Sequence, residues 1–173
     1  LLEEWRKAFG DCNRTTMDDE CVVTVYKKGK VVRKEFPDGA VAFLHDDTIV
    51  RKEFCSGHPA HGQIRHYENE QHVRTEYSST HPAFGELCYF ENGGHVRSEY
   101  SLSHSRHGKI LYFANDMHVR TEYSSNHTRY GEIGYFEGEV HVRTEYSPTH
   151  PDYGHIDYFE NKIHVRTEFS STH

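Results

Sequence analysis

The segment His141-Val142-Arg143-Thr144-Glu145-Tyr146-Ser147 recurs with small changes from His72, His95, His118 and His164, each copy 23 residues from the next. Glycines fall on the same period at 62, 85, 108, 131 and 154. A period this short, containing two turn clusters, leaves no segment of the ~10–12 residues that a helix needs. It accommodates two strands and two connections. In residues 131–153, Gly131 opens the unit and Glu132–Phe136 form the first strand. Glu137–Val140 make a tight loop, His141–Ser147 return, and residues 148–153 lead to Gly154.

A strand turns alternate side chains to opposite faces. Val142, Thr144 and Tyr146 are therefore expected on one apolar face with Ile133 and Tyr135. His141, Arg143 and Glu145 are expected on the other with Gly134 and Phe136. Stacked hairpins repeat every two strands, ~9.6 Å at ~4.8 Å per strand. Arg74, Arg97, Arg120, Arg143 and Arg166 should then form a column, with Glu76, Glu99, Glu122, Glu145 and Glu168 beside it.

Upstream the period changes. Val31–Phe36 and Ile49–Phe54 are shortened versions of the return strand, 18 residues apart. Their hairpin partners are Val22–Tyr26 and Ala40–His45, and Pro37-Asp38-Gly39 is a turn because proline presets φ and glycine accepts a positive one. Residues 1–9 place Leu1, Leu2, Trp5 and Phe9 at helical spacing, and Gly10 stops that helix. The expectation is an all-β chain: an elongated antiparallel meander of 13–14 strands built from 23-residue tandem hairpin repeats, with a short N-terminal capping helix. Residues 1–19 are the helix and a polar loop, 20–60 the atypical short hairpins, and 61–173 the tandem repeats of one continuous array. The chain stops within a repeat at His173 and is expected to be part of a longer protein.

The net charge is −7, and residues 60–173 hold ten Lys or Arg against sixteen Asp or Glu. This argues against a non-specific grip on nucleic-acid phosphates or anionic lipid, which needs positive charge. Protonating all sixteen histidines would turn −7 into +9, so the potential could reverse below about pH 6. No stretch approaches the ~20 apolar residues that span a bilayer. Cys12, Cys21, Cys55 and Cys88 form no Cys-x-x-Cys pair, and no signal peptide is visible. A reducing intracellular setting, cytoplasmic or nuclear, is expected.

The glycine-opened hairpin, with aromatic pairs Tyr112-Phe113, Tyr135-Phe136 and Tyr158-Phe159 before its turn, resembles the MORN repeat over about residues 62–169. The return strand diverges, reading His-Val-Arg-Thr-Glu-Tyr where that family has Tyr-x-Gly-x-Trp. The resemblance implies a curled single-layer meander used for protein contacts and scaffolding, with lipid contact by family analogy.

The expected function is a non-catalytic module that binds a protein partner, or another copy of itself, through one extended face. Candidate contacts are the five arginines of the column and the loop residues Phe84, His107, Tyr130 and Tyr153. No unit breaks the pattern with a lone nucleophile, so no catalytic residue is assigned. Two alternatives are a nucleic-acid-binding array, where repeated Arg and Phe could stack on bases, and a histidine-dependent metal protein. The histidine columns run through 72, 95, 118, 141 and 164, and through 58, 81, 104, 127, 150 and 173. Zinc needs imidazole nitrogens at about 2.0–2.1 Å, closer than backbones ~9.6 Å apart bring equivalent residues. No metal ligand and no cofactor are therefore assigned. The structural alternative is that these rings bond neighbouring loops or stack on aromatics.

Overall fold

A computed structural model describes residues 12–18, 20 and 22–170. The helix expected over residues 1–9 lies outside them. The described residues form fifteen strands in an antiparallel meander, without a helix. None of them makes a helix long and apolar enough to cross a membrane.

The chain divides into two compact units, Leu1–Pro82 and Ala83–His173. The first contains β1 (Cys12–Met17), β2 (Val23–Lys27), β3 (Lys30–Glu35), β4 (Ala40–His45), β5 (Thr48–Phe54), β6 (Gln63–Glu68) and β7 (Gln71–Tyr77). The second contains β8 (Glu86–Glu91), β9 (Gly94–Tyr100), β10 (Lys109–Ala114), β11 (Met117–Tyr123), β12 (Glu132–Glu137), β13 (Val140–Tyr146), β14 (His155–Glu160) and β15 (Ile163–Phe169). Opening strands of six residues and return strands of seven begin 23 residues apart, from Gln63 and Gln71 onward.

Two-residue turns join the hairpins. Both central residues have positive φ, as at Asn69 and Glu70 (49° and 65°), Asn92 and Gly93 (50° and 80°), and Gly138 and Glu139 (52° and 70°). This is the type I′ geometry whose twist matches that of paired strands. The loop expected over Glu137–Val140 is thus shorter, with Glu137 and Val140 inside strands.

Each of these hairpins carries one extra residue in its return strand. Tyr112 faces Arg120 while Phe113 faces His118, so Val119 has no opposite number. The same shift leaves Val142 unmatched between Arg143 and His141, and Val73 between Arg74 and His72. Such a bulge resets the alternation of side chains. The expected grouping of faces is therefore overturned. Arg143 and Glu145 share a face with Tyr135, Ile133 and Val142. His141 crosses to the opposite face, with Thr144 and Phe136. Val142 and Tyr146 point apart, since Tyr146 bonds Asp157 on the threonine side.

A second difference lies at residues 10–19, expected as a polar loop: Cys12–Met17 form β1, paired with β2 through a register shift. This accounts for fifteen strands rather than 13–14. An outermost strand needs partners on one side only and little apolar burial, so its sequence has no apolar alternation to reveal it.

Within each unit, strands pack substantially only against their sequence neighbours. Burial therefore runs along rows across the sheet. On the threonine side Ser98, Thr121 and Thr144 are 0%, 5% and 3% exposed. Beside them runs an aromatic ladder, in which His95 lies 4.2 Å from Phe113, His118 4.2 Å from Phe136, and His141 4.5 Å from Phe159 between ring centroids. Ring contacts of this kind contribute about 0.5–1.5 kcal/mol each beyond their buried area.

Candidate functional site

In the second unit Arg97, Arg120, Arg143 and Arg166 lie in one row across the strands, alternating with Tyr112, Tyr135 and Tyr158, and each is held by its neighbours; Arg74 belongs to the first unit. Arg120 lies over the Tyr112 ring at 4.0 Å and pairs with Glu122 at 2.9 Å. Tyr112 Oη closes the set by donating to Glu122 at 3.0 Å. Arg143 with Tyr135 and Glu145, and Arg166 with Tyr158 and Glu168, repeat this arrangement. Arg97 pairs with Glu99 over Tyr89 in the same way. Arg74 departs from it because His66 occupies the tyrosine position. There Arg74 donates to His66 Nε2 at 3.3 Å, and Glu76 takes the guanidinium at 2.5 Å. Burial and the Arg74 charge hold the His66 pKa below its ordinary value.

These pairs are half exposed, so each contributes about 0–1 kcal/mol, with a further ~0.5–1 kcal/mol from the cation over the ring. Their main effect is positional, because the guanidinium plane is fixed between a ring and a carboxylate.

Between successive hairpins the same face opens into repeated crevices. One of about 410 Å³ is walled by Val119, Tyr135, Glu137, Val142, Arg143 and Tyr158. The next, about 370 Å³, uses Val142, Tyr158, Glu160, Val165 and Arg166. The tyrosine beneath each arginine, and the bulged valine that lines each crevice, are not part of the sequence expectation. The signal for both is the adjacency of Tyr-Phe on one strand to His-Val on its partner.

The loop candidates fall at equivalent places but not in equivalent settings. Phe84, Tyr130 and Tyr153 are 42%, 44% and 39% exposed. His107 is half-buried in a crevice with Leu102, Ser103, Ser125 and Asn126, and its Nδ1 is covered without a hydrogen-bond partner. The crevices beside Arg143 and Arg166 include no loop candidate, and the one around His107 includes no arginine of the column.

Among the described residues both histidine columns are engaged internally; His173 lies outside them. His118 Nε2 donates to the carbonyl of Arg120 at 3.1 Å and lies 2.9 Å from Thr121 Oγ1. Burial pushes the pKa of His72, His118 and His141 down. The loop histidines act on their own turns. His127 Nδ1 accepts from the backbone N–H of Arg129 at 3.0 Å, and its ring lies 4.5 Å from that of Tyr123. His104 and His150 do the same with Arg106 and Asp152. Among the described residues, no three His, Cys, Asp or Glu side chains converge on a metal-sized site.

The opening glycines Gly62, Gly85, Gly108 and Gly131 lie under the loop histidines His81, His104, His127 and His150. Gly131 has φ +93°, and a Cβ there would sit 2.9 Å from His150 Cβ. This glycine meets two demands at once, a backbone conformation that other residues resist and an absence of side-chain volume.

No family model, curated protein or solved structure matches this chain.

Proposed function

We propose that the chain is a non-catalytic interaction module that presents the Tyr–Arg–Glu face of its hairpins to a protein partner or to a second copy of itself. The observation that carries this reading is the recurrence of one crevice chemistry from hairpin to hairpin. Repetition of this kind suits an extended contact better than a reaction, which needs one place unlike the rest. The nucleic-acid reading draws less support, because each arginine of the column is already paired with glutamate. We further propose that the architecture is a divergent MORN-like array with a 23-residue hairpin as its unit and a helical cap at its start. We also propose an intracellular, cytoplasmic or nuclear, setting, because only Cys88 of the four cysteines falls within a full repeat and the spacing offers no disulfide ladder.

The test is capture of partners by this protein, compared quantitatively between wild type and two sets of variants. Replacing Arg120 and Arg143 with Gln should remove a specific partner several-fold. Replacing Phe84, Tyr130 and Tyr153 with Ser tests the loop edge in parallel. Retention of every captured partner by both sets, with the fold intact, would sink the proposal.

A further inference from the structure

The repeat also changes its chemistry in the first unit, on the face opposite Arg33, Arg51 and Arg74. The middle row there runs Thr24, Lys34, Ala42, Lys52, Arg65, Thr75, each opposite the next across the sheet. Later return strands put Ser98, Thr121, Thr144 and Thr167 where β3 and β5 put Lys34 and Lys52. The opening-strand position of Arg65 holds Cys88, Leu111, Gly134 and Asp157 further along. Three cations thus replace what is a neutral or acidic row in the second unit.

None of the three has a carboxylate partner among the described residues. The acids of these strands, Glu35, Glu53, Glu68 and Glu76, alternate onto the other face, where Glu35, Glu53 and Glu76 pair with Arg33, Arg51 and Arg74. Strand alternation surrounds the row with Ala40, Leu44, Phe54, Gln63, Tyr67 and Tyr77, which include no acid. Neutral groups position the cations instead. Lys52 Nζ lies 5.6 Å from the centre of the Tyr67 ring, and the Arg65 guanidinium lies 4.9 Å from that of Phe54. Gln63 Oε1 accepts from Arg65 Nε at 3.1 Å and from a terminal nitrogen at 2.9 Å. Lys52 and Arg65 stand directly opposite each other. Like charges so placed oppose folding. Half-burial among rings keeps water from screening them fully. Ala42, 0% exposed, leaves the sheet low between the two lysines.

We propose that this row binds a linear oligophosphate. The three charges span three strand spacings, ~14 Å at ~4.8 Å per strand, within which long side chains can converge on a chain of phosphates. A single carboxylate or one phosphate would neutralise at most part of the row. Lysine ammonium and arginine guanidinium both form charge-assisted bonds to phosphate oxygens. The site is local and coexists with a net charge of −7.

Calorimetric titration of the full chain with inorganic triphosphate at low salt tests this. Saturable binding is expected, weakened roughly ten-fold or more in the Lys34→Thr/Lys52→Thr double variant, given the strength of charge-assisted bonds, and weakened by added salt. Threonine is the residue that equivalent strands carry, so the variant should fold; should circular dichroism show otherwise, Arg65→Leu carries the same test. ATP binding equally well would identify the phosphate chain as the recognised group, and tighter ATP binding would identify a nucleotide as its source. The proposal is overturned if triphosphate gives no heat, or if the row variants bind it as wild type does. It is equally overturned if Lys28→Ala, outside the row, weakens binding as much.

Discussion

Replacing Gly131 with alanine tests the two demands made on the opening glycine, and Gly138 provides the control. At Gly131 the backbone φ is +93° and the new Cβ would lie 2.9 Å from His150 Cβ and 3.0 Å from Ser147 Oγ. His150 cannot easily withdraw. Its Nδ1 accepts from Asp152 N–H at 3.1 Å, its ring lies 4.7 Å from that of Tyr146, and its own N–H donates to Ser147 O at 2.9 Å. At Gly138 φ is +52° and nothing lies within 4 Å of an added Cβ. Both substitutions incur the ~1–2 kcal/mol of a side chain at positive φ. Both recover ~0.4–1 kcal/mol by stiffening the unfolded chain. Only Gly131→Ala adds the ~1–3 kcal/mol of overpacking. The expected losses are about 2–4 kcal/mol for Gly131→Ala and about 1 kcal/mol or less for Gly138→Ala. Urea unfolding at a slope of ~1–3 kcal/mol per molar separates these values clearly. Losses within about 0.5 kcal/mol of each other, a margin typical of surface substitutions, would refute the claim that the loop histidine rests on the glycine.

Three other outcomes are expected. Glu139→Gly, at φ 70° in a turn whose counterpart elsewhere is Gly93 at 80°, should stabilise by about 0.5–1 kcal/mol, read from the urea midpoint. Tyr146→Phe removes a 2.7 Å bond to Asp157 Oδ2 and should cost about 1.5–3 kcal/mol. Burial alone would raise the Asp157 pKa, but bonds from Thr167 and Tyr146 outweigh it and hold it low, so NMR titration of the variant should show it rising. Because burial lowers the folded pKa of His72, His118 and His141, the unfolded chain binds more protons in mild acid. Their stabilising contribution is complete above the unfolded value of about 6.5 and is lost as pH falls from there through the lower folded values. A urea midpoint that does not fall between pH 8 and pH 5.5 contradicts this assignment.

The repeated strands from Val23 onward were legible because period and alternation are local properties, whereas β1 and the two-residue length of the turns were not. The Arg143–Glu145 pairing was legible for the same reason, since residues two apart in a strand share a face. The position of His141 was not. One unmatched valine between it and Arg143 reverses the count, and period-two arithmetic has no place for an odd residue. The clue was a seven-residue return strand beside a six-residue opening strand, visible only once the turn was known to be two residues long. The same miscount concealed the arginine–tyrosine pairs, since Tyr135 was assigned to the face away from Arg143. Lys34 and Lys52 were plain as letters, but the lack of nearby acid emerged only from which strands lie opposite which.

Within each unit strands pack substantially only against their sequence neighbours, and this bears on how such a gene can change. Stability in a design of this kind is a sum of unit and junction terms. Copying one coding segment in tandem would therefore add a hairpin and one more crevice without disturbing contacts already made. Replication slippage alone could then lengthen or shorten the molecule's reach, and selection would act on the number of copies before it acted on any single side chain.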